Sequence, residues 1–380
     1  TAPAAQAKSS GGERPPKALP PTKRTCNGRF LHNANHTTMK QISILATLLL
    51  FAVTSCAQHK NSLDTDQMPS NQRYSININN GDAQQKIYAS DNVISRDIKI
   101  KDFKKILLTG CGDVRYEPSS QPRLNIRTSD NIFDQMDIRV EDETLKIGFK
   151  KGVSLSLNVL EITIGSPELE EIETTGTCLL TLAEELKAER LKIESKGTSR
   201  ITAHGIRCQD ELEIDLTGTG SLELGQHAEA QEINIEIKGT GSVTAQDLRA
   251  SDKVLLDLSG TGSVNIDGLH TDDLNCNISG TGNLICKDIQ AEDTQAKLSG
   301  TGSMRLSGTT RNASYSASGT GKVTANELKA ETAYAAVSGF GRIQCNAKKQ
   351  LSTTTSGNGK IYYSGNPEIK HSGTKKPQKL

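Results

Sequence analysis

The sequence predicts an all-β fold: a single-stranded, right-handed parallel β-helix, or solenoid, with coils of about 20 residues. Three observations lead there. A Gly-Thr-Gly step returns at nearly constant spacing, and the apolar residues around it alternate with a period of two. The composition is also poor in large apolar side chains, with aromatics at 3% of 380 residues and no tryptophan. Such a chain suits a thin, elongated core lined with Ile, Val, Leu and Ala rather than a thick globular one.

Taken in chain order, residues 1–38 are rich in Pro, polar and basic residues, begin with Thr, and read as a non-native or disordered extension from a gene start placed too early. Residues 39–56 read as a secretory signal. Lys40 precedes an apolar run from Ile42 to Val53 that is too short for a membrane span of ~20 residues. The run closes on Val53-Thr54-Ser55-Cys56, which resembles the lipobox of bacterial lipoproteins and makes Cys56 the expected lipid attachment site. Ala57 and Gln58 follow it, and the lack of an acid there is similar to Gram-negative lipoproteins passed on to the outer membrane, facing the periplasm or the surface. The polar, aperiodic stretch 57–90 reads as a flexible tether.

Residues 91–175 hold strand-like segments without a regular period and are assigned to the first coils and an N-terminal cap. The mark Gly110-Cys111-Gly112 lies 66 residues before Gly176, room for about three periods whose signature has faded. Residues 176–365 carry the regular repeat, and 366–380 close the chain. First glycines fall at 176, 197, 218, 239, 260, 280, 300, 319, 339 and 357, spaced 21, 21, 21, 21, 20, 20, 19, 20 and 18. Together with the N-terminal segment this predicts thirteen or so coils and a rod of roughly 60 Å at ~4.8 Å per coil.

Six, four and two residues before each first glycine stand apolar residues, as in Leu212, Ile214, Leu216 and Val254, Leu256, Leu258. Four and six residues after it come pairs such as Val264, Ile266 and Leu284, Cys286, and a further apolar residue often follows at nine, as Ile206, Leu248, Leu269, Ile289 and Leu328. The same parity places both glycines of each step inward: Gly218 and Gly220, Gly239 and Gly241, Gly260 and Gly262, Gly280 and Gly282, Gly300 and Gly302, Gly319 and Gly321. There they permit a tight corner. The intervening Thr198, Thr219, Thr240, Thr261, Thr281, Thr301 and Thr320 are expected to form an outer ladder. A phosphate-binding loop is excluded, because no helix follows and neither a Lys-Ser/Thr nor an acidic ribose partner is present.

These features in this order resemble the autotransporter adhesin head GIN domain family of lipoproteins: the lipobox, FKKILLTGCGDVRYE, VLEITIGSPELEEIETTGT, the Gly-Ser/Thr-Gly coils and the close KIYYSGNPEIKHSGT. The resemblance spans about Asp91 to Thr374 and implies a β-helix similar to pectate-lyase-like folds with a role in adhesion or surface binding. It implies no catalytic residues. Phe340 and Asn358 depart from the pattern by replacing the central Thr.

Seven Lys/Arg against one acid in residues 1–40 leave 38 basic against 43 acidic residues beyond, so the body is mildly acidic and has no basic stripe for nucleic acid. No cofactor or metal site is expected: CxxC is absent and His204, His227 and His270 are scattered, read as solvated turn residues. Cys276, Cys286 and Cys345 read as small core residues, with Cys276 and Cys286 on different faces and out of bridging reach. The paired acids Glu170-Glu171, Asp272-Asp273 and Glu292-Asp293 recur at a corner and read as turn solvation.

Aromatics gather at the two ends, Tyr116, Phe133 and Phe149 toward the cap and Tyr315, Tyr334, Phe340, Tyr362 and Tyr363 toward the other. Most are assigned to end-capping core. Phe340, in the outer column, with Tyr362 and Tyr363 one coil along, is the candidate ligand surface. The expected function is a lipid-anchored, adhesin-like envelope module that binds a glycan or partner protein without catalysis. The rival readings are a polysaccharide lyase or hydrolase on the same fold and a passive spacer.

Overall fold

The computed structural model describes residues 74–77, 85–110 and 112–380. All of them fall in one of the chain's two units, Pro69–Leu380. The predicted signal, Cys56, and the extension 1–38 lie outside the described residues. From Glu171 onward the chain is a parallel β-solenoid in which each coil pairs in register with the next, as in Ser242–Gly260 against Ser263–Gly280 and Ser263–Gly280 against Asn283–Gly300. The apolar columns are buried as their parity demands: Val254, Leu256, Leu258, Val264, Ile266 and Leu269 are each at most 2% exposed.

The ten glycine corners from Gly176 to Gly357 stack one upon another, and Gly110 lies directly beside Gly176, 3.3 Å from where its Cβ would be. The expected thirteen coils are therefore too many. Eleven stacked corners span roughly 50 Å at ~4.8 Å per step. Lys105–Thr109 and Asp113–Tyr116 belong to a single coil, paired on one side with Glu171–Thr175 and Leu179–Ser195 and on the other with Thr144–Phe149 and Leu160–Gly165. The chain thus lays down one coil, departs, returns on its far side and then passes over it to start the regular stack. The 66 residues hold no faded periods but this excursion.

The excursion builds the cap. Arg123–Ser129 runs antiparallel to Leu160–Gly165, and Met136–Glu141 runs antiparallel to Thr144–Phe149 through a turn in which Asp142 and Glu143 both have positive φ. The reversal of direction, with Arg139 bridging Glu141 at 3.0 Å on the outer strand, blunts an edge that would otherwise be open to pairing. A second correction concerns the tether. Tyr74–Asn77 and Gln85–Tyr88, inside the stretch 57–90, are strands that flank Val153–Leu157 in a separate three-stranded sheet.

The two glycines of a step do different work. The second faces the core as expected: a Cβ on Gly262 would lie 2.6 Å from Ile237 Cγ2. The first does not line the core. A Cβ on Gly260, whose φ is +142°, would lie 2.5 Å from the carbonyl oxygen of Gly239 in the preceding coil. Steric exclusion by the neighbouring backbone, not core shape, demands glycine there. The residue between them donates its amide to the same carbonyl column: Thr240 to Gly218 at 2.8 Å, Thr261 to Gly239 at 3.0 Å and Thr281 to Gly260 at 2.9 Å. The ladder therefore runs through the corner unbroken, while differences in coil length are absorbed elsewhere, as at Arg249/Lys253 and Ala325/Lys329.

Core volume is balanced across coils. Tyr315, fully buried, stands in register with Ala296 below and Ala335 above, where other coils place Leu256 or Ile235. Small neighbours on both sides make room for one large ring. Farther along the same column the interior turns polar, with Thr353 Oγ1 2.9 Å from His371 Nδ1.

Gly260→Ala is expected to lower stability by at least about 2 kcal/mol, whereas Thr261→Ala, at an exposed position, changes it by less than about 0.5 kcal/mol. Denaturant melts of the two variants check this.

Candidate functional site

The third corner of the coils, three positions beyond the apolar residue at nine, carries the most site-like surface. On the later coils two outward columns flank a buried one. The first runs Asp273, Asp293, Asn312, Thr332, Gln350, and the second Asn275, Gln295, Ser314, Tyr334, Ser352. Between them the floor includes Leu274, Thr294, Ala313 and Ala333, and the space enclosed is a groove of about 560 Å³.

Hydrogen bonds order one wall. Asn312 Nδ2 donates to Asp293 Oδ1 at 2.8 Å, and Thr332 Oγ1 donates to Asn312 Oδ1 at 2.7 Å. Tyr334 stands in the other wall, 43% exposed, with Ser314 and Ser352 as its register partners on the adjacent coils. Those neighbours are too small to cover its ring. Sequence reasoning assigned Tyr334 to end-capping core and missed it. The available signal was parity, since Tyr334 lies five residues before Gly339, an outward position.

The predicted tip surface is only partly assembled. Phe340 is 70% exposed in the Thr column, its amide donating to the Gly319 carbonyl at 2.8 Å. Tyr362 pairs with Gln344 and lies under the Arg342 guanidinium, 5.3 Å from the ring centroid. Tyr363 pairs with buried Cys345 and packs against the core. Opposite parity separates the two tyrosines, and Arg342 intervenes between Phe340 and Tyr362 in the alternation, so the three residues do not form one patch.

Charged clusters elsewhere are internally satisfied. Glu171, Glu173 and Glu194 bring carboxylate oxygens within 4.8 Å of one another. Lys105 meets Glu171 at 2.9 Å, and Lys196 meets Glu173 at 2.8 Å and Glu194 at 3.0 Å. Two ammonium groups thus supply the countercharge a cation would bring. A cleft beside the cap holds Lys104 with Glu168 at 2.7 Å and Glu170 at 3.2 Å, and these hydrogen bonds raise the lysine above its ordinary range, the opposite of what a general base requires. His227 is not a solvated turn residue: its Nε2 lies 2.9 Å from Glu185 Oε1, a contact that holds that carboxyl below its usual range.

Cys208, Cys276, Cys286 and Cys345 are buried free thiols, and Cys178 is buried as well. Cys276 and Cys286, expected to be apart, interact across the core, because strands on either side of one glycine corner face each other over a thin interior. That interaction, with burial, raises the Cys286 thiol well above its ordinary value, and burial pushes Cys208 and Cys345 up to about 12.

A parallel β-solenoid with glycine corners and an outward polar groove defines a class of repeat scaffold that offers long surfaces. The family described as "Putative auto-transporter adhesin, head GIN domain" matches residues 102–267 and 254–367, and the chain belongs to that family. No curated protein matches it. Among solved structures it is similar to a "putative lipid binding protein" from Parabacteroides distasonis, at 27% identity, TM-score 0.33 and coverage of 78% of this chain and 100% of that one. It is also similar to a "putative adhesin" from Parabacteroides merdae, at 20% identity, TM-score 0.39 and coverage of 78% and 99%. A third, a "putative adhesin" from Bacteroides fragilis, shows 24% identity, TM-score 0.32 and coverage of 77% and 97%. Among the described residues, no helix is long and apolar enough to cross a membrane.

Alkylation of the native protein at pH 8 is expected to leave Cys208, Cys286 and Cys345 unmodified, their thiols being neutral there and sealed from solvent, and to label them after denaturation. Peptide mass spectrometry of the two samples checks this.

Proposed function

We propose that the protein is an adhesin-like module of the Gram-negative cell envelope, held to the outer membrane by a lipid on Cys56 and binding a glycan or partner protein without catalysis. Membership of an adhesin family supports this reading, and the groove at the third corner carries it. Its walls are hydroxyl, amide and carboxylate groups around one exposed aromatic ring, chemistry suited to holding a polar ligand by many modest contacts. A lyase or hydrolase would need acid and base groups brought toward neutrality on one face. The lysine-carboxylate clusters of this chain are instead driven further into their charged states, as Lys104 and Lys192 illustrate.

Two measurements test the reading. Cys56→Ser is expected to abolish lipid labelling and release the protein from the membrane fraction; a membrane-bound, unlabelled variant contradicts the anchor. Incubation of the protein with immobilised polysaccharides and matrix proteins is expected to give retention without new reducing or unsaturated ends. Product release overturns the non-catalytic assignment, and absence of retention on every surface leaves only the spacer.

A further inference from the structure

We infer that the Tyr334 groove is a subsite for an uncharged glycan chain lying along the solenoid axis. The inference rests on the reading of the protein as a binding module and specifies where it binds and what. The ring of Tyr334 has Ser314 on one neighbouring coil and Ser352 on the other, so it is uncovered along the axis. A half-exposed aromatic ring among small polar side chains is a stacking surface for the apolar face of a pyranose.

The groups around the ring match sugar hydroxyls. Gln295 and Gln350 each offer both donors and acceptors, the serines a rotatable hydroxyl, and Asp293 a carboxylate whose Oδ1 is engaged by Asn312. Because coils repeat at ~4.8 Å, a linear chain running along the axis meets equivalent positions on successive coils. The volume, about 560 Å³, falls within the range of small-ligand sites and accommodates a few sugar units rather than one.

Charge selects among glycans. Asp273 and Asp293 line one wall, and among the described residues the lining contains no Lys, Arg or His. A polyanionic chain would meet these two carboxylates within the groove, the nearest cations of the two columns, Lys253 and Lys370, standing beyond its ends, whereas a neutral one would find hydrogen-bond acceptors. A protein partner is the weaker match. Stable protein interfaces rest on clustered aromatic and Arg anchors over ~800 Å² per partner, and this groove presents a lone ring among short polar groups.

The test is calorimetric titration of the intact protein and of Tyr334→Ala and Tyr334→Trp with neutral hexasaccharides of glucose, xylose, mannose and N-acetylglucosamine. Oligogalacturonate and hyaluronan fragments serve as anionic probes. Binding of at least one neutral hexasaccharide is expected, weakened about tenfold or more in Tyr334→Ala and retained in Tyr334→Trp, with no binding of the anionic chains. Because Tyr334 is exposed, circular dichroism of both variants is expected to match the parent.

Neutral-glycan binding undiminished in Tyr334→Ala would overturn the groove assignment and leave the broader reading standing, with the glycan held elsewhere. Binding confined to the anionic probes, or no binding of any neutral hexasaccharide, would also overturn the groove assignment. Cleavage of a bound hexasaccharide by the intact protein would overturn the non-catalytic reading itself.

Discussion

At every regular corner, the carbonyl oxygen of the first glycine accepts an amide from the coil stacked upon it, while the first glycine of that coil passes so close that no side chain fits between. The rest of the solenoid follows from this contact. It fixes the register of one coil on the next, because a slip by a single residue would bring a Cβ against a carbonyl at 2.5 Å, as at Gly260 and Gly239. It also leaves length variation to the two other corners, where the pairing shifts are found. Surface chemistry follows the same division. The glycine corner is chemically monotonous, and the third corner changes from charged residues of both signs on the earlier coils to amides, hydroxyls and Tyr334 on the later ones.

The interior obeys a second constraint, that of a thin core whose opposite walls touch. Side chains on either side of a corner meet across it, as Cys276 and Cys286 do, and one large residue forces small ones around it, as Tyr315 does with Ala296 and Ala335. The groove floor, with Ala313 and Ala333, lies one inward position before this column in the chain.

Much of this was legible in the residues. Period-two alternation identified strands, constancy of the glycine spacing identified a solenoid, and the columns at six, four and two residues before the glycine and four, six and nine after it are the buried ones. The cap was not legible, because antiparallel strands and a coil laid down out of order carry no repeat. Gly110 and Gly176 are 66 residues apart in sequence and adjacent in space, a relation that only pairing reveals. Tyr334 was missed for a different reason. Aromatics near the end of a repeat read as capping core, and the outward parity of this one counts only once its small cross-strand neighbours are seen. The first glycines were assigned to the right residues for the wrong cause, since parity extrapolated through a corner fails where φ turns positive.

The glycine corners are continuous parallel ladder rather than loops. Hydrogen exchange at the amides of Thr261, Thr281 and Thr301 tests it most directly, because their side chains are exposed while their N–H groups bond Gly239, Gly260 and Gly280 at 2.9 to 3.0 Å. These amides are expected to be protected to the same degree as the buried strand residues Leu256 and Ile278, opening only with the coil as a whole. Exchange at loop-like rates, with the flanking strands still protected, would show that the coils are held by their faces alone and would contradict the account.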